Sequence, residues 1–111
     1  MAVVRLSTDD AGGSVPVRVG DTVSLLLPET PATGFLWRWR MPATLRVVAD
    51  ERVGMSPGAP GRETQRRLAV EVTAAGRHEL VAELARPWET SVRSRLDFVL
   101  AADAAESAGG R

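Results

Sequence analysis

Apolar and polar residues alternate with a period of two through much of the chain, as they do in half-buried strands. Val15, Val17 and Val19 share a face opposite Arg18. Gly20-Asp21 signals a turn, and Val23, Leu25 and Leu27 form the next apolar face against Thr22 and Ser24. Phe35, Trp37, Trp39 and Met41 then share one face, with Arg38 and Arg40 on the other. Leu45 to Asp50 is a shorter candidate strand. Leu68, Val70 and Val72 alternate with Ala69, Glu71 and Thr73, and after the Ala75-Gly76 turn the pattern resumes at Leu80, Ala82 and Leu84. The last segment sets Ser94, Leu96, Phe98 and Leu100 against Arg93, Arg95 and Asp97. No segment sustains the i, i+3, i+4, i+7 repeat of an amphipathic helix. Short strands punctuated by Gly and Pro predict a sandwich or barrel.

The pattern thus predicts an all-β, immunoglobulin-like β-sandwich of about seven to eight antiparallel strands, with Ala2 to Leu6 as the extra edge. Val17, Leu25, Trp37, Val70, Leu84 and Phe98 are the expected core. A chain of 111 residues fits one domain, expected over 1–101 with a disordered tail at 102–111. It holds no cysteine, which excludes disulfides, thiolate metal sites and a cysteine nucleophile.

Fourteen basic residues balance fourteen acidic ones, so no charged field recruits nucleic acid or a membrane surface. All the basic residues are Arg, which reads as codon bias rather than as selection for phosphate contacts. No window is long and apolar enough to span a bilayer, and Met1 to Asp10 lacks the apolar run of a signal peptide. The expectation is a cytoplasmic protein, or an exported one if a leader has been removed.

Catalytic chemistry finds no foothold. The single histidine, His78, follows the Ala75-Gly76 turn and reads as a surface or strand-start residue rather than as a base. No cluster of metal-ligating residues and no nucleophile–base signature stands out, so neither cofactor nor metal is expected. Glu29 and Glu89 flank loops, but paired carboxylates alone are a weak glycosidase signal. Pro57-Gly58-Ala59-Pro60-Gly61 lacks the Lys-Ser/Thr of a phosphate loop. A non-enzymatic binding protein is the reading that remains.

Three loops carry unusual composition. Pro28-Glu29-Thr30-Pro31-Ala32-Thr33-Gly34 is longer than a hairpin needs and stiffened by proline. Gly54 to Gly61 is small-sided, with Pro57 and Pro60 restricting it. Arg86-Pro87-Trp88-Glu89 places an indole in a bend between two strands, and Trp and Arg are enriched at binding hot spots.

In order and spacing these loops resemble the chagasin family of cysteine-protease inhibitors. That family's first loop reads Asn-Pro-Thr-Thr-Gly, then an aromatic, any residue, and Trp; Thr30-Pro31-Ala32-Thr33-Gly34-Phe35-Leu36-Trp37 stands in its place. Pro57 to Gly61 stands for the glycine-rich loop, and Arg86-Pro87-Trp88 matches the third motif outright. Val19-Gly20-Asp21 also agrees, and the resemblance spans roughly residues 14–100. Thr30 replaces the family's Asn and Ala32 a Thr.

The resemblance implies a monomer that inhibits papain-like cysteine proteases reversibly and without a covalent bond. The implied contacts are Thr30, Pro31, Ala32, Thr33 and Gly34 near the catalytic cysteine, with the Thr33 side chain as a hydrogen-bonding group. Pro57, Gly58, Ala59, Pro60 and Gly61 would cover one wall of the cleft by backbone contact. Arg86, Pro87 and Trp88 would take the other, with Trp88 as anchor and Arg86 adding polar contacts or orienting the indole. Phe35, Trp37 and Trp39 are expected in the core. The alternative is an immunoglobulin-like binding or assembly module with a non-protease partner.

Overall fold

A computed structural model describes residues 2–54 and 64–104. Its strands are β1 (Val3–Leu6), β2 (Ser14–Arg18), β3 (Thr22–Glu29), β4 (Leu36–Arg40), β5 (Leu45–Val53), β6 (Thr64–Val72), β7 (Gly76–Ala85) and β8 (Ser94–Asp103). Two short 3-10 turns, Thr8–Asp10 and Pro31–Thr33, are the helical elements among the described residues. The strands form two four-stranded sheets, ordered β1-β3-β6-β5 and β2-β8-β7-β4.

The alternation explains the core. In β3, Val23, Leu25 and Leu27 are fully buried, and Val23 and Leu25 lie opposite Val70 and Leu68 of β6. The facing sheet contributes Leu80, Phe98 and Leu100, with Leu80 opposite Phe98. Of the expected core, Val17, Leu25, Trp37, Val70 and Phe98 are buried, while Leu84 packs half-buried against the cluster. Full burial of a Leu, Val or Phe side chain is worth about 1.5–3 kcal/mol, so this cluster carries the fold.

The expected antiparallel pairing holds for β3–β6, β5–β6, β4–β7 and β7–β8. The pairs β1–β3 and β2–β8 are instead parallel. A parallel pair needs a crossover connection. Here the chain leaves β1, crosses to the other sheet as β2, and returns as β3. Both prolines within strands sit where a missing N–H is tolerated. Pro16 lies in the edge strand β2, and Pro28 lies beyond Leu25, the last β3 residue that β1 pairs.

Three expectations shift. β5 runs to Val53, pairing with β6 past the expected Asp50, and a register irregularity between Val47 and Ala49 breaks its alternation, with Val47 and Val48 both exposed. β8 runs to Asp103, past the boundary expected at 101: Ala102 is buried and pairs with both Val17 and Gly76. Its small side chain fits where the sandwich closes. His78 is at a strand start as expected, but buried. Its Nδ1 is 2.9 Å from Thr44 Oγ1 and its Nε2 is 2.7 Å from the Ala74 carbonyl, so both ring nitrogens are occupied structurally.

A loop end built on a buried carboxylate

Register brings the three candidate loops to one end of the sandwich. Glu29 at the end of β3 pairs with Thr64 at the start of β6, and Val53 of β5 pairs with Gln65. In the other sheet Leu36 of β4 pairs with Ala85 of β7, and Leu84 with Ser94 of β8. The connections 30–35, 54–63 and 86–93 therefore all leave from this end. Pro57, Gly58, Ala59, Pro60 and Gly61 lie outside the described residues.

The first loop is a closed 3-10 turn. Pro31 opens it, its fixed φ suiting a helical first position. The amides of Thr33 and Gly34 donate to the carbonyls of Thr30 and Pro31 at 3.0 and 2.9 Å. Thr33 Oγ1 donates to the Thr30 carbonyl at 2.7 Å and accepts from the Phe35 amide at 3.2 Å. The hydroxyl expected to face a partner is thus engaged inside its own loop. Gly34 ends the turn at φ 84°, a left-handed conformation that glycine adopts without a Cβ penalty. Ala32 is exposed at the tip.

The third loop leans on the first. Trp88 is 72% exposed, yet its indole lies over Gly34: a Cβ there would meet Trp88 Cη2 at 2.8 Å. The glycine is required twice over, by its φ and by the ring above it. Arg86 Nε donates to the Thr33 carbonyl at 3.2 Å, and the Glu89 amide closes the bend onto the Arg86 carbonyl at 3.0 Å. Arg86 does not stack on Trp88. Its guanidinium lies 4.3 Å from the Phe35 ring centroid, and that of Arg93 lies 4.9 Å from the same ring.

Phe35 is therefore not a core residue, contrary to expectation: it is half-buried with two guanidiniums on it. β4 begins only at Leu36, so the strand face that holds Trp37 does not extend to Phe35. Trp37 is buried as expected, its Nε1 donating to the Pro28 carbonyl at 2.8 Å. Trp39 is half-buried, with Arg66 5.7 Å from its ring centroid.

Beneath the loops lies Glu29, which sequence reasoning noted only as a flanking acid. Its side chain is fully buried. Oε2 accepts from the Trp37 amide at 2.8 Å and from Arg66 Nη1 at 3.0 Å, and Oε1 accepts from Arg52 Nε at 3.0 Å. Its carbonyl accepts from Thr64 Oγ1 at 3.0 Å. Arg66 also forks onto Asp50, Nε to Oδ1 at 2.6 Å and Nη2 to Oδ2 at 3.1 Å, and the Trp39 indole donates to the same carboxylate at 3.1 Å. The bond from Arg66 holds the Asp50 carboxyl below its usual range; partial burial opposes this and Trp39 supports it. Arg38 and Arg40 are directed at Glu83, at 3.0 and 3.2 Å, and do not form a basic face with the tryptophans.

Among the described residues no group of three His, Asp or Glu could hold a metal ion. The sandwich thus carries at one end two hydrogen-bonded loops and an uncovered indole. The family model described as chagasin family peptidase inhibitor I42 matches residues 16–101, and the chain belongs to that family. It is a cysteine-protease inhibitor of the chagasin type, not an enzyme. Solved structures agree in fold. A cysteine protease inhibitor of Entamoeba histolytica, EhICP2, superposes with a TM-score of 0.84 at 20% identity, over 93% of this chain and 97% of that one. Amebosin gives 0.75 at 20% identity over 90% and 97%. PbICP-C, solved in complex with falcipain-2, gives 0.55 at 12% identity over 92% and 88%. No curated protein matches the chain.

Proposed function

We propose that the loop end of this domain fills the active-site cleft of a papain-like cysteine protease, reversibly and without a covalent bond. The observation that carries this is the seating of Trp88 on Gly34: a largely exposed indole is fixed by the first loop before any partner arrives. Side chains ordered in advance lose less entropy on binding, and a buried Trp is a common hot spot. Thr30 to Gly34 enter beside the catalytic cysteine, and Arg86 to Trp88 take one wall. For Pro57 to Gly61, on the opposite wall, the support is the sequence motif. Loops of this size supply the roughly 800 Å² per partner of a protease–inhibitor contact.

The same geometry accounts for resistance to cleavage. The first loop is cross-bonded by Thr33 and capped by Gly34, so it cannot extend through the cleft as a substrate does without breaking those bonds. The chain also has no cysteine with which to form a mixed disulfide. Titration against papain and a cathepsin L-type enzyme tests the proposal. Reversible inhibition with intact inhibitor recovered is expected. No inhibition at tens of micromolar, or steady cleavage within Thr30 to Gly34, leaves an assembly module with a non-protease partner.

A further inference from the structure

The Glu29 carboxylate touches the stems of two loops at once. Glu29 is the last residue of β3, before the first loop, and its Oε2 accepts from the amide of Trp37, the second residue of β4 after it. Arg52 is the next-to-last residue of β5, and Thr64 and Arg66 open β6, on the two sides of 54–63. Arg52 and Arg66 donate to the Glu29 carboxylate and Thr64 Oγ1 to its carbonyl, at 3.0 Å each. Arg52 and Arg66 both reach solvent, while the carboxylate they hold does not. Charged groups in such a place add little net stability over an apolar replacement, but their directional bonds admit few alternative arrangements. Trp37 Nε1 bonds the Pro28 carbonyl on the same stem, so a shift of Glu29 is felt on both edges of the first loop.

We infer that Glu29 is a positioning residue for inhibition: its buried carboxylate sets the stems of the first and second loops against each other. It touches no partner itself. The inference rests on the proposed function and goes beyond it, since none of the proposed contact residues supplies these bonds. Arg66 is the brace behind it, held in turn by Asp50 and Trp39.

The test uses Glu29→Gln, which keeps the size and an acceptor for the Trp37 amide but removes the charge. Papain inhibition is measured well below the melting point, with association and dissociation rates separated, beside amide and indole NMR spectra. The folded variant is expected to inhibit about tenfold more weakly, the scale of one charge-assisted hydrogen bond, mainly through faster dissociation. The Gly34 and Thr64 amide signals should move together. Wild-type inhibition by a folded but less stable Glu29→Gln would overturn the inference, leaving the residue a role in stability alone. If that variant does not fold, Arg52→Gln carries the test, with a smaller loss in the same direction expected and an unchanged inhibition constant counting against it. If the unaltered protein does not inhibit, the functional proposal fails by itself. The positioning claim then stands or falls on whether the Gly34 and Thr64 amides shift in the Glu29 variant.

Discussion

At the end of the sandwich away from the loops, Asp21 accepts from the amides of Ala2 and Arg18, both at 3.0 Å. Its carbonyl accepts from the Val72 amide, its amide donates to the Arg18 carbonyl, and Thr73 donates to the Thr44 carbonyl through both amide and hydroxyl. Almost every partner there is a main-chain group, which ties strand to strand. At the loop end, Glu29 and Asp50 instead gather guanidiniums, and Phe35 lies under two more. The large apolar group at that end, Trp88, points out. The far end closes the fold. The loop end is stiffened by long charged side chains at its stems and by short bonds within the loops themselves.

The two tryptophans on either side of the first loop give the sharpest break of that comparison. Trp37 is buried in the core and Trp88 is not. Trp37→Ala should cost about 3–5 kcal/mol of stability, the usual range for emptying a buried aromatic site, with the remaining folded fraction still inhibiting. Trp88→Ala should leave the melting temperature nearly unchanged and cost about 2 kcal/mol or more of binding. Thermal melts and inhibition constants for the pair check this. If Trp88→Ala melts the domain while the folded fraction inhibits normally, the third loop is a structural corner and the loop end has no anchor.

A smaller effect is expected where the two loops touch. Gly34→Ala places a Cβ at φ 84° and 2.8 Å from Trp88. The left-handed conformation alone costs about 1–2 kcal/mol, and the indole has to leave its seat. The melting temperature should fall by several degrees, and inhibition should weaken beyond what Ala32→Gly at the exposed tip produces. Unchanged inhibition by Gly34→Ala would mean that the pre-set indole is dispensable.

The sequence made the far end and the core legible because their logic is local. Val23, Leu25 and Leu27 announce one face of β3, and Gly20-Asp21 announces the turn before it. The first and third loops were also readable, as motifs whose residues the structure brings into contact. What binds those loops to the sandwich was not. Glu29 finds Arg52 and Arg66 at separations of 23 and 37 residues, and no spacing rule reports that. Phe35 falls outside the core because the period of two does not extend back to Gly34, where the strand has not begun. The parallel edges were hidden because alternation says which face is buried and nothing about which neighbour a strand takes.

The smallest predicted effect separates the two ends by pH. Asp50 is held below its usual carboxylate range chiefly by the bond from Arg66. A carboxylate depressed in the folded state binds fewer protons there than in the unfolded chain. Its stabilisation is therefore complete above the ordinary value of 3.8 and drains away as pH falls through the lower folded value. The carboxylate still reaches solvent, which screens it, so the contribution is modest, about 1 kcal/mol. Asp50→Asn keeps an acceptor for the Trp39 indole and loses the charge. It should melt slightly below the unaltered protein at pH 7, and the gap should close as pH falls below the ordinary carboxylate range. Thr73→Val, at the far end, removes a neutral hydrogen bond to the Thr44 carbonyl, so its gap from the unaltered protein should stay level over the same range. Melting curves of the three proteins across that range decide the matter. A gap for Asp50→Asn that stays level would show that Arg66 does not rely on this charge. The charge that braces Arg66 beneath the first loop would then be that of Glu29.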